Sequence, residues 1–309
     1  MQVSGSSRAV IRMVDLFQAK AFGLIWQSDL PTSRFSPLAS PVADVDVQIT
    51  RVPALRPRAS GIQINRGWIY QDGIRFAWGD EVAFDMRDGN RIDYAPGAMW
   101  NGTFPDAFYS SVVALLLVWR GLLPFHASTV SVDGRTVLIA GPAGSGKSTL
   151  AAALAGLGAH WLADDLSAVS RDAAGRFYAH PGRTVARLHA QVCDWIDARD
   201  VELIATHPRQ KYLVRLTDVA DAVPRELAGI MVLGSGPVAG ATRLELLTRL
   251  LFRPRWLSQL PNAQQHRRQL LAAAEKVPVI GIPAAEMRDV AAFRAQGEAV
   301  LATIRSALP

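Results

Sequence analysis

The chain has little cysteine and no long hydrophobic run. Its 309 residues include a single cysteine, Cys193, which excludes a disulfide bond within the chain. The most apolar stretch, residues 112–119, falls far short of the roughly 20 residues that a membrane-spanning helix needs. Residues 1–16 lack the apolar stretch and the small-residue cleavage site of a signal peptide. We therefore expect a cytoplasmic protein with no membrane partner.

Charged residues are also few, at 19% of the chain, whereas 50% of the residues are hydrophobic. This composition is typical of a globular protein with a sizeable core and excludes a disordered chain. The formal net charge is +6, but no basic run is interleaved with aromatic residues, so we expect no nucleic-acid partner. A basic surface would instead attract anionic ligands, such as nucleotide phosphates or an acidic peptide.

The first hundred residues predict a β-rich domain. Short runs of alternating apolar and polar residues occupy residues 61–94, and turn signals such as Asp72-Gly73 separate them. This pattern is typical of antiparallel hairpins or a meander. Residues 104–120 then predict a helix, and its segment 112–119, apolar on all sides, should be deeply buried.

From residue 124 onwards the pattern changes to strands that alternate with helices. Residues 130–132 and 136–140 predict two strands joined by a turn at Asp133-Gly134. A glycine-rich loop, an alanine- and leucine-rich helix over 148–157 and a strand at 160–163 follow. This β-loop-α-β order predicts a three-layer α/β domain. Further predicted elements are a strand at 229–233, helices near 242–252, 262–276 and 288–304, and a short strand at 277–282. We therefore expect a smaller β-rich domain over 1–105 and an α/β domain over 106–309.

The glycine-rich loop fits the phosphate-binding pattern G-x-x-x-x-G-K-[ST] at every position. Glycines allow the backbone to wrap a phosphate with its N–H groups inward, and the following helix adds the positive end of its dipole. Lys147 would hold the β- and γ-phosphates and the Ser148 hydroxyl would bind Mg²⁺. The sequence thus predicts ATP and Mg²⁺ as cofactors. The candidate binding residues are Gly141, Ala143, Gly144, Ser145, Gly146, Lys147, Ser148 and Thr149.

Two adjacent carboxylates, Asp164 and Asp165, follow the predicted strand at 160–163. A parallel strand beside the phosphate-loop strand would bring both to the carboxyl edge of the sheet, where ligands bind in such folds. One carboxylate could hold Mg²⁺ while its neighbour accepts the proton of an attacking hydroxyl. The alternative is that this pair caps the N-terminus of a helix, which would not exclude catalysis.

Several segments together resemble a known family. They are Phe125-His126-Ala127-Ser128, Thr136-Val137-Leu138-Ile139-Ala140-Gly141, Gly146-Lys147-Ser148-Thr149-Leu150, Ala163-Asp164-Asp165, Ala21-Phe22-Gly23-Leu24, Ser28-Asp29-Leu30-Pro31, Pro181-Gly182, Arg187-Leu188 and Lys211-Tyr212. This set resembles the HPr kinase/phosphorylase-like family, and in particular its shorter HPr-kinase-related members. The resemblance implies a P-loop domain like that of phosphoenolpyruvate carboxykinase and phosphorylation of a serine on a peptide or small protein. Some members phosphorylate the C-terminal serine of a lasso-peptide precursor.

The resemblance also implies roles for individual residues. Asp164 would be the general base, and Asp165 and Ser148 would be the metal ligands. His126 would lie near the transferred phosphoryl group and, with Asp164 and Lys147, would make up the catalytic set. Candidates for a cation that stabilises the transition state are Arg183, Arg187 and Lys211. The glycine-arginine signature of the bifunctional enzymes is not found downstream, which puts phosphorolysis, and HPr as the substrate, in doubt.

Two other functions stay open at the level of sequence. A small-molecule kinase of the shikimate- or gluconate-kinase type has a similar interval between its phosphate loop and an acidic strand end. That type is disfavoured because its chains start near the loop, whereas here the loop begins only at Gly141. A non-catalytic, nucleotide-dependent regulator is the other alternative. The sequence does not identify the phosphoryl acceptor, and it leaves a homo-oligomer open.

Overall fold

The computed structural model describes residues 16–196, 201–204, 211–216, 223–238, 240–283 and 287–308. The expectation that no signal peptide is present falls on residues that lie outside this part, apart from Leu16. The described chain has a mixed α/β fold with two large sheets, a small sheet and several helices, which agrees with the expected α/β class. None of the described helices combines the length and the apolar character that a membrane span requires.

The N-terminal region forms a nine-stranded sheet in the order β3-β1-β2-β4-β9-β8-β7-β6-β5. Its strands are β1 Phe17–Ala21, β2 Leu24–Ser28, β3 Ser36–Pro37, β4 Val47–Arg51, β5 Ile62–Ile64, β6 Gly67–Tyr70, β7 Gly73–Trp78, β8 Val82–Arg87 and β9 Arg91–Pro96. From β5 to β9 each strand pairs antiparallel with the next, so the predicted meander is confirmed. The hairpin of β1 and β2 was not predicted.

The rest of the chain alternates strands with helices. A π-helical turn at Phe108–Val112 leads into α1 Val113–Trp119, and the remaining helices are α2 Lys147–Gly156, α3 Ala190–Trp195, α4 Ala241–Leu250, α5 Pro254–Leu257, α6 Ala263–Lys276 and α7 Val290–Ala307. The strands are β10 Leu123–Phe125, β11 Ala127–Val132, β12 Arg135–Ala140, β13 His160–Ala163, β14 Ser167–Arg171, β15 Phe177–His180, β16 Val185–His189, β17 Val201–Ile204, β18 Lys211–Arg215, β19 Arg225–Leu233 and β20 Val279–Ile282. Helix α1 is buried throughout Val113 to Val118, as its apolar sequence predicts.

The second large sheet has the order β10-β14-β15-β19-β12-β11-β13, and β20 also pairs with β19. The expected position of β13 beside β12 is wrong, because β11 lies between them and pairs antiparallel with both. The physical reason is the tight turn at Asp133-Gly134, which has positive φ values of 48° and 82° and folds β11 directly onto β12 as a hairpin. Two antiparallel steps leave β12 and β13 parallel, so their carboxyl ends still share one edge of the sheet.

Two hydrophobic clusters cover the two faces of this sheet. Along β12, Leu138 and Ala140 join a cluster that extends through α1 into the nine-stranded sheet. Val137 and Ile139 face the opposite cluster, which contains α2, part of α7 and apolar residues of the small sheet β16-β18-β17. The alternation is what a strand buried on both faces requires. The domain boundary near residue 105 falls after β9 and stays a prediction.

Candidate functional site

The phosphate-binding pattern lies on a turn between β12 and α2. The strand ends at Ala140, the helix begins at Lys147, and Gly141 and Gly146 have positive φ values of 150° and 91°. A Cβ atom on Gly141 would lie 2.9 Å from Ser145 Oγ and 3.1 Å from the Leu233 carbonyl oxygen. Only glycine therefore fits this first position, and the strand–loop–helix arrangement expected from the sequence is present.

Lys147 is buried at the start of α2, with 7% of its surface exposed. Its Nζ donates hydrogen bonds to the carbonyl oxygens of Gly141, at 3.1 Å, and Pro142, at 3.0 Å. Burial lowers the pKa of the ammonium group, while the charges of Asp164 and Asp165 raise it and that of Lys211 lowers it. The ammonium group therefore lies within electrostatic reach of both carboxylates.

The Asp164 carboxyl group is almost completely buried, with 1% of the residue exposed. Its Oδ1 accepts a hydrogen bond from Ser128 Oγ at 2.6 Å, and its Oδ2 accepts one from the backbone N–H of Arg187 at 3.1 Å. Burial raises the pKa of this carboxyl group, Asp165 raises it further, and hydrogen bonds from Ser128, the Arg187 backbone and the Ser148 hydroxyl lower it. The influence of Ser148 on this pKa places the carboxylate beside the phosphate loop.

Two further buried hydroxyl groups join β11 to β14 beside this part of the site. Next to Ser128, Thr129 Oγ1 donates to Ser167 Oγ at 2.7 Å, and Ser167 Oγ donates to the Ala127 carbonyl oxygen at 3.0 Å. All of these residues are fully buried. Sequence reasoning assigned them no role; the only signal was that Ser128 ends the segment quoted for the family resemblance.

Asp165 has a left-handed backbone with φ 67°, which turns the chain between β13 and β14. Its Oδ2 forms an ion pair with Arg183 Nη2 at 3.0 Å, and its Oδ1 lies 3.4 Å from His126 Nδ1. The same ring nitrogen lies 3.0 Å from the Asp165 backbone oxygen. Because β14 begins at Ser167, no helix starts here, and the helix-cap alternative for the two aspartates is wrong.

The structure places the three predicted cations differently. Arg183 is 0% exposed, and its Nη2 donates to the Asp164 backbone oxygen at 3.1 Å as well as to the Asp165 carboxylate. The guanidinium group of Arg187 pairs with Asp106, while its backbone holds Asp164. Lys211 affects the pKa of the phosphate-loop lysine. Arg183 and Arg187 therefore hold the aspartates, whereas Lys211 acts on the phosphate loop only through its charge.

The N-terminal sheet contacts the same region through its first hairpin. The turn between β1 and β2 consists of Phe22 and Gly23, with φ values of 57° and 75°, as a two-residue hairpin turn requires. The Phe22 N–H donates to the Pro181 carbonyl oxygen at 2.7 Å. A Cβ atom on Gly182 would lie 2.9 Å from both Ala163 Cβ and Phe22 Cε1. The hairpin therefore packs directly onto the segment that carries Arg183.

The N-terminal region also contacts the site through ion pairs. Asp106 pairs with both Arg34 and Arg187, and the Thr184 N–H donates to the Arg34 carbonyl oxygen at 2.9 Å. These residues are far apart in sequence, and no local pattern links them. Over the described ranges, no group of three or more histidine, cysteine, aspartate or glutamate side chains is arranged to hold a metal ion.

Comparisons with known proteins give partial matches. A family model described as SynChlorMet cassette protein ScmC matches residues 108–205, a stretch that contains the phosphate loop and both aspartates. No curated protein matches the chain. The solved structure of the Hpr(Ser) kinase/phosphatase from Coxiella burnetii is 23% identical, over 37% of this chain and 66% of that chain, with a TM-score of 0.24. The match spans slightly less than two thirds of that protein, so its activity is a hypothesis for this chain.

Proposed function

We propose that the protein is an ATP-dependent serine kinase that transfers the γ-phosphoryl group to a serine hydroxyl of a peptide or small protein. The observation that carries this proposal is the meeting of the phosphate loop with the two aspartates. The Ser148 hydroxyl lies close enough to Asp164 to lower the pKa of its carboxyl group. The charges of Asp164 and Asp165 both raise the pKa of the Lys147 ammonium group. A phosphate-binding loop beside a pair of carboxylates is the combination that phosphoryl transfer needs.

The residues present fit a nucleoside triphosphate with Mg²⁺. Three loop glycines, Gly141, Gly144 and Gly146, have positive φ values that favour glycine, and Ser145 Oγ is buried without a hydrogen-bond partner among the described residues. The Ser148 hydroxyl and the Asp165 carboxylate are oxygen donors, which suit Mg²⁺. This ion is usually bound by one or two protein groups together with phosphates and water, so a larger cluster of protein ligands is not required. When bound, the nucleotide supplies the electrophilic phosphoryl group.

The side chains of the site would have separate roles in binding phosphate and accepting the proton. Lys147 Nζ, which donates to two loop carbonyl oxygens, would bind phosphate oxygens. The Asp164 carboxylate would accept the proton of the attacking serine hydroxyl, and its raised pKa makes it a stronger base than an ordinary aspartate. Ser128 and the Arg187 backbone hold its two oxygens in place. His126, whose Nδ1 lies 3.0 Å from the Asp165 backbone oxygen, would lie near the transferred phosphoryl group.

The acceptor is proposed at two levels of detail. A serine-bearing peptide or small protein follows from the family resemblance and suits the net charge of +6, which would attract an acidic segment. The C-terminal serine of a lasso-peptide precursor is the finer proposal, and it rests on the resemblance alone. A cytoplasmic location is proposed with it. A homo-oligomer remains open and can be measured by light scattering.

The decisive assay presents the acceptor directly. The full-length protein would be incubated with Mg²⁺, γ-labelled ATP and a panel of peptides that end in serine, and the products would be examined by mass spectrometry. We expect one added phosphate on the terminal serine, none on peptides that end in alanine, and none with Asp164→Asn. A parallel panel of small hydroxyl compounds tests the small-molecule alternative. Mg²⁺-dependent nucleotide binding without transfer to any compound would instead identify a regulator.

A further inference from the structure

Arg183 is the most deeply buried charged side chain at the site. It is 0% exposed, and a single nitrogen, Nη2, contacts both the Asp165 carboxylate at 3.0 Å and the Asp164 backbone oxygen at 3.1 Å. Its Nε and Nη1 atoms are buried without a hydrogen-bond partner among the described residues. A buried guanidinium group is costly unless an opposite charge compensates it. The Asp165 carboxylate supplies that charge.

Asp165 in turn depends on a partner. Its backbone has φ 67°, a conformation that costs an aspartate free energy and persists only where its surroundings hold it. The second carboxylate oxygen lies 3.4 Å from His126 Nδ1, beyond the usual range for a hydrogen bond. Arg183 therefore makes the short contact that orients this carboxylate.

The position of Arg183 is itself fixed by the N-terminal sheet. The preceding residue, Gly182, has no room for a Cβ atom, because Ala163 on β13 and Phe22 in the hairpin turn lie 2.9 Å from that point. The Gly182 N–H donates to the Leu162 carbonyl oxygen at 2.9 Å, and the Pro181 carbonyl oxygen accepts from Phe22. The segment Pro181–Gly182 is therefore packed between the β1–β2 hairpin and β13.

We propose that Arg183 is a positioning residue that holds the Asp165 carboxylate against the phosphate loop and thereby sets how strongly Mg²⁺ enhances nucleotide binding. The inference rests on the proposed function, which gives Asp165 the metal side of the site. It also replaces the expectation that Arg183 stabilises the transition state directly, since a fully buried guanidinium group cannot contact a bound phosphoryl group. Groups that orient a metal ligand in this way are typically worth a factor of about 10–100 in metal affinity.

The test compares the affinity of the full-length protein for ADP with Mg²⁺ and with a chelator, by calorimetry. The ratio of the two affinities isolates the contribution of the metal. We expect Arg183→Met to reduce this ratio by about 10–100-fold. Arg183→Lys, which keeps the charge but loses the planar geometry, should give an intermediate ratio. If Arg183→Met does not fold, the ratio measured for Arg183→Lys still tests the proposal.

A double-mutant cycle distinguishes positioning from general structural support. If Arg183 acts through Asp165, the double variant Arg183→Met/Asp165→Asn should have the same metal ratio as Asp165→Asn alone. The matched control is Arg58→Met, because the Arg58 side chain is only 6% exposed and pairs with a buried carboxylate, Asp85, at 2.8 Å near the N-terminal sheet. This control should lower the melting temperature and leave the ratio unchanged.

The outcomes separate the two proposals. A ratio in Arg183→Met equal to that of the unaltered protein, or additive effects in the cycle, would overturn the positioning role alone. Nucleotide binding by the unaltered protein that does not respond to Mg²⁺ would overturn both proposals. A metal ratio that behaves as expected in a protein that transfers phosphate to no acceptor would leave the role of Arg183 in place and refute the kinase.

Discussion

Replacing Asp164 with asparagine should make the protein more stable and slow phosphoryl transfer by about 10²–10⁴-fold. The exchange keeps the shape of the side chain and removes its charge. The amide oxygen can accept from the Arg187 backbone N–H, and the amide N–H₂ can donate to Ser128 Oγ, so both contacts of the carboxylate can be replaced. What the variant loses is a proton acceptor in a buried position.

The sign and size of the stability change follow from the pKa. Burial raises the pKa of Asp164 above its ordinary value of 3.8, so the unfolded chain releases this proton at a lower pH than the folded protein does. As the pH rises from 3.8 to the folded pKa, the free energy of unfolding falls by up to about 1.4 kcal/mol per pH unit, and the loss persists above that range. Asparagine does not titrate, so the free energy of unfolding of the variant does not fall in this way as the pH rises.

The assay is urea unfolding of both proteins in the presence of a chelator, repeated from about pH 4 to about pH 8. The difference in free energy of unfolding should grow in favour of Asp164→Asn and then stay constant. Transfer should fall by about 10²–10⁴-fold, the usual contribution of a general base, while ADP still binds. A variant less stable than the original protein at neutral pH would refute the burial argument. Near-normal transfer would refute the assignment of the base.

The neighbouring aspartate offers a matched control for this experiment. Asp165→Asn removes the same charge one residue away, but it leaves the fully buried Arg183 without its ionic partner. Breaking a buried pair typically costs about 3–5 kcal/mol, and the slight exposure of Asp165 favours the lower end of that range. Two adjacent and chemically identical substitutions should therefore change the stability in opposite directions.

Other predictions concern the packing and the buried polar groups around the site. Gly182→Ala should destabilise the protein by about 1–3 kcal/mol, because the new methyl group would lie 2.9 Å from Ala163 Cβ and Phe22 Cε1; an unchanged urea midpoint would contradict the packing. Burial lowers the pKa of His180 to about 4, so stability should fall by up to about 3 kcal/mol as the pH drops from 6.5 towards 4. His180→Gln should abolish that part of the acid sensitivity in the same titration, and an identical pH profile would refute it. Thr129→Val, which breaks a buried hydroxyl contact, should cost about 1–3 kcal/mol in thermal unfolding.

The sequence predicts those parts of the site that depend on neighbouring residues. The phosphate loop is one, because its glycines and Lys147 must follow one another along the chain to wrap a phosphate. The carboxyl-edge position of the aspartates is another, although the order of the strands was wrong. The Asp133-Gly134 turn indicates that β11 and β12 are consecutive strands, but periodicity does not show that β13 pairs with β11 rather than with β12. Both arrangements bring Asp164 to the same edge.

The contacts that hold the site together were beyond the reach of sequence patterns. The pair of Arg183 with Asp165, the pairs of Asp106 with Arg34 and Arg187, and the packing of the Phe22 turn all join distant parts of the chain. Phe22 also has a positive φ of 57°, which no propensity predicts for a large aromatic residue. Such contacts are decided by tertiary packing, so only the quoted resemblance pointed towards these segments.

The central claim is that Lys147, Ser148 and the two aspartates share one site for a metal-bound nucleotide. The most direct measurement is a crystal structure of the full-length protein with Mg²⁺ and a non-hydrolysable ATP analogue. We predict phosphates within hydrogen-bond distance of Lys147 Nζ and a metal ion about 2.0–2.1 Å from the Ser148 hydroxyl oxygen, with Asp165 on the metal side. A nucleotide bound away from the loop, or a metal ion out of reach of both aspartates, would contradict the account.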